Sequence, residues 1–302
     1  MQEILIKAGC YIAIIVLGYV LRRRGFFGPE AFGVLSKVVI KITLPAAIVA
    51  SSAGKPIDAS LLTISALGMG GGLLYMLVGW FLAGRSDRSK KAFFVLNLPG
   101  YNIGTFAMPF TQGFLGPVGV LTTSLFDMGN AFVCLGGSFG VARAIKEGGK
   151  MNLLRVLKAP FASIPFLTHL LMVSLNLLHL NVPGPIVSFC SIVGNANPAM
   201  AMLMIGVGFN LSGETSQKTT VVKILSARYA IALTLAAVFY FCLPFELQVR
   251  QALALLAVSP IGTAVPVFTA ELKEDAGLSS AINSIAIVIS IVLMVSMLLI
   301  ML

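Results

Sequence analysis

Two short runs hold most of the residues that could do chemistry in this chain. The first, Asn97-Leu98-Pro99-Gly100-Tyr101-Asn102-Ile103-Gly104, puts a proline, two glycines and two asparagines together. The second, Ser259-Pro260-Ile261-Gly262-Thr263-Ala264-Val265-Pro266, combines two prolines, a glycine and two hydroxyls. Both interrupt apolar stretches. Proline removes a backbone donor and glycine weakens a helix, so each run is expected to be locally unwound. Unwound backbone at membrane depth is tolerated only where protein or a water-filled cavity satisfies its N–H and C=O groups. Asn97, Pro99, Gly100, Tyr101, Asn102 and Gly104 therefore form one half of a candidate substrate site. Ser259, Pro260, Ile261, Gly262 and Thr263 form the other. Half-helices starting at such breaks turn positive dipole ends toward mid-membrane, which suits a carboxylate or similar anion.

An ionisable group buried in a span is functional by default. Asp127, within Ser124-Leu125-Phe126-Asp127-Met128-Gly129-Asn130, is the one acid deep in any apolar stretch. It could carry a proton, help coordinate sodium with Asn102 and Thr123, or serve as a static acid bonded between helices. Asn130, beside it, and Asn283, near its counterpart in the second half, complete the coupling-ion candidates. Lys37 and Lys41 share a helix face; Lys41 either faces the substrate path or snorkels to the interface. Pro45, Asn195 and Asn197 are further cavity-lining candidates, with the asparagines also able to bond backbone freed by Pro198. His169 reads as a packing residue. Cys10, Cys134, Cys190 and Cys242 lack CxxC spacing and read as small packing residues. No metal site is expected, and no catalytic Ser/His, paired Asp or HExxH arrangement occurs in the spans.

The elements that must position these residues follow from composition. The 302 residues include 21 basic and 11 acidic side chains, 58% are hydrophobic, and mean hydropathy is +0.97. A water-facing surface needs more charge than this, so the surplus apolar surface must face lipid. Disorder, a disulfide scaffold and a nucleic-acid binder are disfavoured. Spanning a bilayer takes roughly 20 apolar residues, and ten such stretches lie near 4–21, 32–52, 60–82, 92–113, 118–142, 160–180, 185–209, 221–243, 247–270 and 277–301. The first lacks a cleavage pattern and is expected to be retained. The loops after segments one, three, five, seven and nine hold 16 Lys and Arg, Arg228 among them, against 3 (Lys7, Lys55 and Arg250) opposite. Cytoplasmic loops keep Lys and Arg, so both termini are expected outside the cytoplasm.

Breaks recur in order across the two halves. Leu44-Pro45-Ala46 in segment two matches Asn197-Pro198-Ala199 in segment seven, and Asn102 to Phe110 in segment four matches Pro260 to Phe268 in segment nine. With five spans per half, the second half starts on the opposite side of the membrane, which makes the repeats inverted. The expected division is 1–145 as first repeat, 146–159 as basic cytoplasmic linker and 160–302 as second repeat.

These motifs, with the span number and loop pattern, resemble the auxin efflux carrier family, within the wider group of bile acid, arsenite and riboflavin transporters. The resemblance implies an all-α polytopic membrane protein of ten helices in two inverted five-helix repeats. As in bile acid symporters and sodium/proton antiporters, helices four and nine would be broken and cross at the substrate site. Segments one, two, six and seven would form a scaffold, also the candidate homodimer surface; three to five and eight to ten would form the moving transport unit. The family's asparagine- and proline-containing crossover corresponds to Pro99-Gly100-Tyr101-Asn102 and less completely to Ser259-Pro260, where a second asparagine is missing. Sodium symporters of the wider group place a glutamate beside the segment-nine break, and 261–267 contains no carboxylate. The expected function is secondary transport of a small organic anion by alternating access in a bacterial inner membrane, with no cofactor beyond a coupling proton or sodium ion. The alternatives are a sodium-coupled symporter, an anion channel and a non-transporting sensor.

Overall fold

The computed structural model describes residues 2–54, 59–209 and 217–302. Lys55 and most of the polar turn 212–218 fall outside the described residues. The described residues are helical throughout, with no strand among them. In chain order the helices are α1 (Gln2–Arg23), α2 (Ala31–Val38), α3 (Leu44–Ser52), α4 (Ala59–Ala83), α5 (Arg88–Asn97), α6 (Met108–Phe132), α7 (Ser138–Glu147), α8 (Leu153–Lys158), α9 (Ile164–Leu177), α10 (Gly184–Asn195), α11 (Asn197–Gly208), α12 (Lys218–Phe241), α13 (Leu247–Ala257), α14 (Val265–Glu271) and α15 (Ala276–Met301). Wide π-turns at Val39–Thr43, Ile103–Ala107 and Val133–Gly137 join α2 to α3, lead into α6, and join α6 to α7.

Among the described residues seven helical runs are long and apolar enough to cross a membrane. The sequence led us to expect ten. The difference has a local cause at each place. Expected segment four is split between α5, of 10 residues, and the start of the α6 run by the break at 98–102. Expected segment nine is split into α13 and α14, of 11 and 7 residues. Segment six is the 14-residue α9, which meets Leu153–Ala162 at 84°. The run Ile103–Glu147, 45 residues, would extend roughly 68 Å at 1.5 Å per residue, about twice a ~30 Å hydrocarbon core. It does not, because Gly116 adopts φ 57 and ψ −142 just before Pro117 and turns the chain between two arms.

Small residues let helix backbones touch where no water-driven force acts between them. A Cβ at Gly129 of α6 would fall 1.7 Å from the Ser65 carbonyl oxygen of α4, and one at Gly68 would fall 2.1 Å from that of Phe126. The same closeness recurs between α11 and α1, where a Cβ at Gly206 would sit 2.0 Å from the Ile15 carbonyl oxygen. Besides these pairs, α3 packs on α9 and α10, and α12 on α13. Large apolar side chains such as Leu77, Phe189, Ile192, Phe241 and Ile300 point outward, where lipid rather than water must cover them.

Candidate functional site at the meeting of two helix breaks

Pro99 has no N–H to give the Val95 carbonyl, so α5 stops at Asn97 with Leu98 as its C-cap, still helical in backbone. Gly100 then takes φ 82, a left-handed conformation that costs glycine nothing. Pro260, likewise without an N–H, follows the end of α13, and Pro266 sits in the first turn of α14, where its missing donor is harmless. The two breaks touch: the Asn102 N–H donates to the Pro260 carbonyl at 2.9 Å.

Carbonyls freed by the breaks converge on one side chain. Arg228 of α12 is fully buried and donates from Nη1 to the Leu98 carbonyl at 2.6 Å, and from Nη2 to those of Gly100 at 2.9 Å and Ser259 at 2.8 Å. Its guanidinium lies 4.9 Å from the Tyr75 ring centroid and 5.8 Å from that of Tyr101, and no carboxylate pairs with it among the described residues. This corrects the sequence reading, which counted Arg228 with the loop charges. Arg228 stands ten residues into α12, roughly 15 Å along the axis and about half of a hydrocarbon core. That depth is the signal that could have found it. The remaining loop charges still outnumber the opposite side by fifteen to three.

Asn130 clamps the first break. Its Oδ1 accepts from the Tyr101 N–H at 3.1 Å, and its Nδ2 donates to the Tyr101 carbonyl at 3.1 Å and to Asp127 Oδ1 at 2.9 Å. Thr105 Oγ1 donates to Asn102 Oδ1 at 2.5 Å, while the buried Asn102 Nδ2 has no partner. Beside these groups lies a cavity of about 190 Å³. Tyr101, Asn102, Gly104, Asp127, Asn130, Gly262 and Thr263 line it, as expected candidates, together with Thr105, Ser163 and Phe166, which the sequence did not single out, and Cys134, which it read as a packing residue. Asp127 is the only carboxylate among its described lining residues.

Other candidates lie elsewhere. The Tyr101 ring packs against Tyr75 and Phe126, with its hydroxyl against Gly71. Asn97 is a staple below the break: its Nδ2 donates to Thr269 Oγ1 at 3.3 Å and its Oδ1 accepts from Ser279 at 2.5 Å. Pro99, Gly100, Ser259, Pro260 and Ile261 shape the breaks behind the cavity wall. Thr123 turns to Thr111 at 2.8 Å. Asn283 is buried outside the lining, its Oδ1 unpartnered, and His169 is buried with neither ring nitrogen bonded. Lys41 and Asn195 are exposed, and Pro45 stands outside the lining.

Asn197 belongs to a second junction. Thr43 Oγ1 donates to Asn197 Oδ1 at 3.0 Å, and Asn197 Nδ2 donates to Gln112 Oε1 at 3.2 Å. Pro198 offers no N–H to the Gly194 carbonyl four residues back. Gln112 Nε2 supplies that donor at 3.0 Å.

With its described residues helical, several helices long and apolar enough to cross a membrane, and two broken ones meeting at a polar crossing, the chain is an integral, multi-pass membrane protein. Residues 11–142 match the family model described as membrane transport protein. An uncharacterized transporter from Methanothermobacter thermautotrophicus is 26% identical over 207 residues, covering 67% of this chain and 66% of that protein. The chain thus spans just under two thirds of that relative's length. These matches bear out the resemblance to the auxin efflux carrier family.

Proposed function

We propose that the chain is a secondary transporter that moves a small organic anion by alternating access around the crossing of its two helix breaks. The observation that carries this reading is the direct bond between the breaks, Asn102 N–H to the Pro260 carbonyl, beside a cavity with an unpartnered buried amide donor at Asn102. The run from Ile103 starts at the cavity, so its positive dipole end faces an entering carboxylate, and Gly262 and Thr263 contribute from the turn that precedes the shorter helix α14 opposite. Arg228 adds a fixed positive charge behind the breaks. Asp127 carries the coupled proton: protonated, it leaves the cavity positive and open to an anion; ionised, it opposes one.

In this reading the chain has ten spans in two inverted repeats, 1–145 and 160–302, joined by 146–159. Reciprocal packing supports it, since α1 of the first half lies on α11 while α9 of the second lies on α3. Tyr75 and Arg228 stand 153 positions apart, the same offset as Pro45 and Pro198, and meet through the Tyr75 hydroxyl and the Arg228 carbonyl at 3.2 Å. Scaffold segments one, two, six and seven would carry any homodimer contact. Both termini lie outside, in a bacterial inner membrane.

Uptake of labelled carboxylates into proteoliposomes tests the function. Accumulation above the outside concentration under a proton gradient is expected. Equilibration without accumulation identifies an anion channel, and the absence of any flux for every carboxylate tried defeats the reading.

A further inference from the structure

Unwound carbonyls and helix C-terminal ends at a membrane break are the groups that coordinate a coupling cation in transporters built this way. Here α5 and α13 both end at the crossing, with their negative dipole ends and the carbonyls of Leu98, Gly100 and Ser259 aimed at one point. The sodium symporters that the sequence resembles at a distance imply a sodium ion near this place. The residues present do not fit it. No carboxylate occurs between Val258 and Val267, and the three carbonyls that could ligate a metal already accept from a guanidinium.

We propose that Arg228 is a resident substitute for the coupling metal cation: its guanidinium fills the carbonyl cage formed by the two helix breaks, so that the crossing takes no alkali cation. A tethered charge does what a bound one would do for the backbone. It neutralises two helix C-termini and satisfies three carbonyls of two different breaks at once, and it cannot dissociate. Burial without a carboxylate partner is tolerable because the three charge-assisted bonds and the faces of Tyr75 and Tyr101 replace water around the ion. A lysine could not do the same, since one ammonium lacks the planar fork that reaches three separated oxygens. The consequence for coupling rests on the transporter reading above: the charge a sodium symporter carries across and releases is here part of the protein, leaving Asp127 as the titratable group for coupling. The cage itself stands independently of that reading.

The test removes the tethered charge and offers a free one. Purified Arg228→Ala is followed by thermal unfolding in sodium, potassium or methylguanidinium chloride against choline chloride at equal ionic strength. The variant is expected to melt well below the parent, and sodium or methylguanidinium is expected to raise its midpoint by several degrees over choline, while the parent responds to none of them. A variant indifferent to every small cation overturns the proposal, because the arginine then only fills space. A parent stabilised by sodium as strongly as the variant also overturns it, because the cage is then open. If the alanine variant does not survive purification, Arg228→Lys replaces it: with part of the cage open, a smaller sodium response is expected, and no response counts against the idea. Failure of the transport reading would show elsewhere, as a parent that takes up no carboxylate while the cation responses persist.

Discussion

Asn130 is a single side chain on which two functions of the site depend. It satisfies the N–H and C=O that the first break strips from Tyr101, and it donates to Asp127. Asn130→Ala should leave both backbone groups buried and unpaired, at about 1–3 kcal/mol each, seen as a lower thermal midpoint in detergent; Asn130→Asp keeps the acceptor but sets a second carboxyl against Asp127 and the Tyr101 carbonyl, and should lower the midpoint at least as far. Asp127 is the titratable side of the pair. Under the proposed function, raising the pH ionises it and adds negative charge beside the anionic substrate, so parent uptake should fall with rising pH. In Asp127→Asn that dependence should vanish, and a variant that keeps the parent's pH profile would remove Asp127 from coupling. Residue by residue the sequence was unevenly legible. Asp127 stood out because it is an isolated acid in an apolar stretch. Arg228 did not, because an arginine a few positions past Lys218 and Lys223 was counted with their loop although it stands seven residues inside the apolar stretch 221–243.

Helix breaks are the most legible elements in this chain, because proline and glycine act through local backbone chemistry that needs no tertiary context. The breaks at 98–102 and 258–264 fall where the motifs put them. The number of continuous crossing helices was less legible, since a short helix and a broken one have the same apolar composition as a long one. Contacts between helices were illegible, since thirty glycines are scattered along the chain and only some sit at close approaches. Gly129 and Gly70 separate the two cases. Gly129→Ala drives its Cβ into the Ser65 carbonyl and must push α4 from α6, an overpacking cost of about 1–3 kcal/mol or more. Gly70 has nothing within 4 Å of the point where an alanine methyl would stand, so it should tolerate that substitution within about 0.5 kcal/mol. Equal thermal midpoints for the two variants would mean that α4 and α6 do not meet through these glycines.

At the scale of the whole molecule the question is which parts move together. The resemblance to the auxin efflux carrier family implies that Thr43 and Asn197 belong to the scaffold and Gln112 to the transport unit, yet all three meet in one hydrogen-bonded chain that ends on the Gly194 carbonyl. Matching breaks made the two repeats legible in the sequence, and the division into units came with the resemblance; that Gln112 bridges the units was not legible, because a glutamine past Pro109 carries no mark of what it faces. The bridge gives the motion a direct test. In a background without the native cysteines, Thr43→Cys with Asn197→Cys places two thiols within the scaffold, and Gln112→Cys with Asn197→Cys places them across the boundary. Each pair joins side chains that now touch, so a short bifunctional thiol reagent should link both, visible as a mobility shift after proteolysis between the sites. Linking within the scaffold should leave uptake near that of the unlinked variant. Linking across the boundary should arrest it, and cleavage of a reducible linker should restore it, because the proposed alternating access would require Gln112 to leave Asn197 once in every cycle. If the link across the boundary leaves uptake intact, helix 103–115 does not move against α11, and the assignment of scaffold and transport unit must be redrawn.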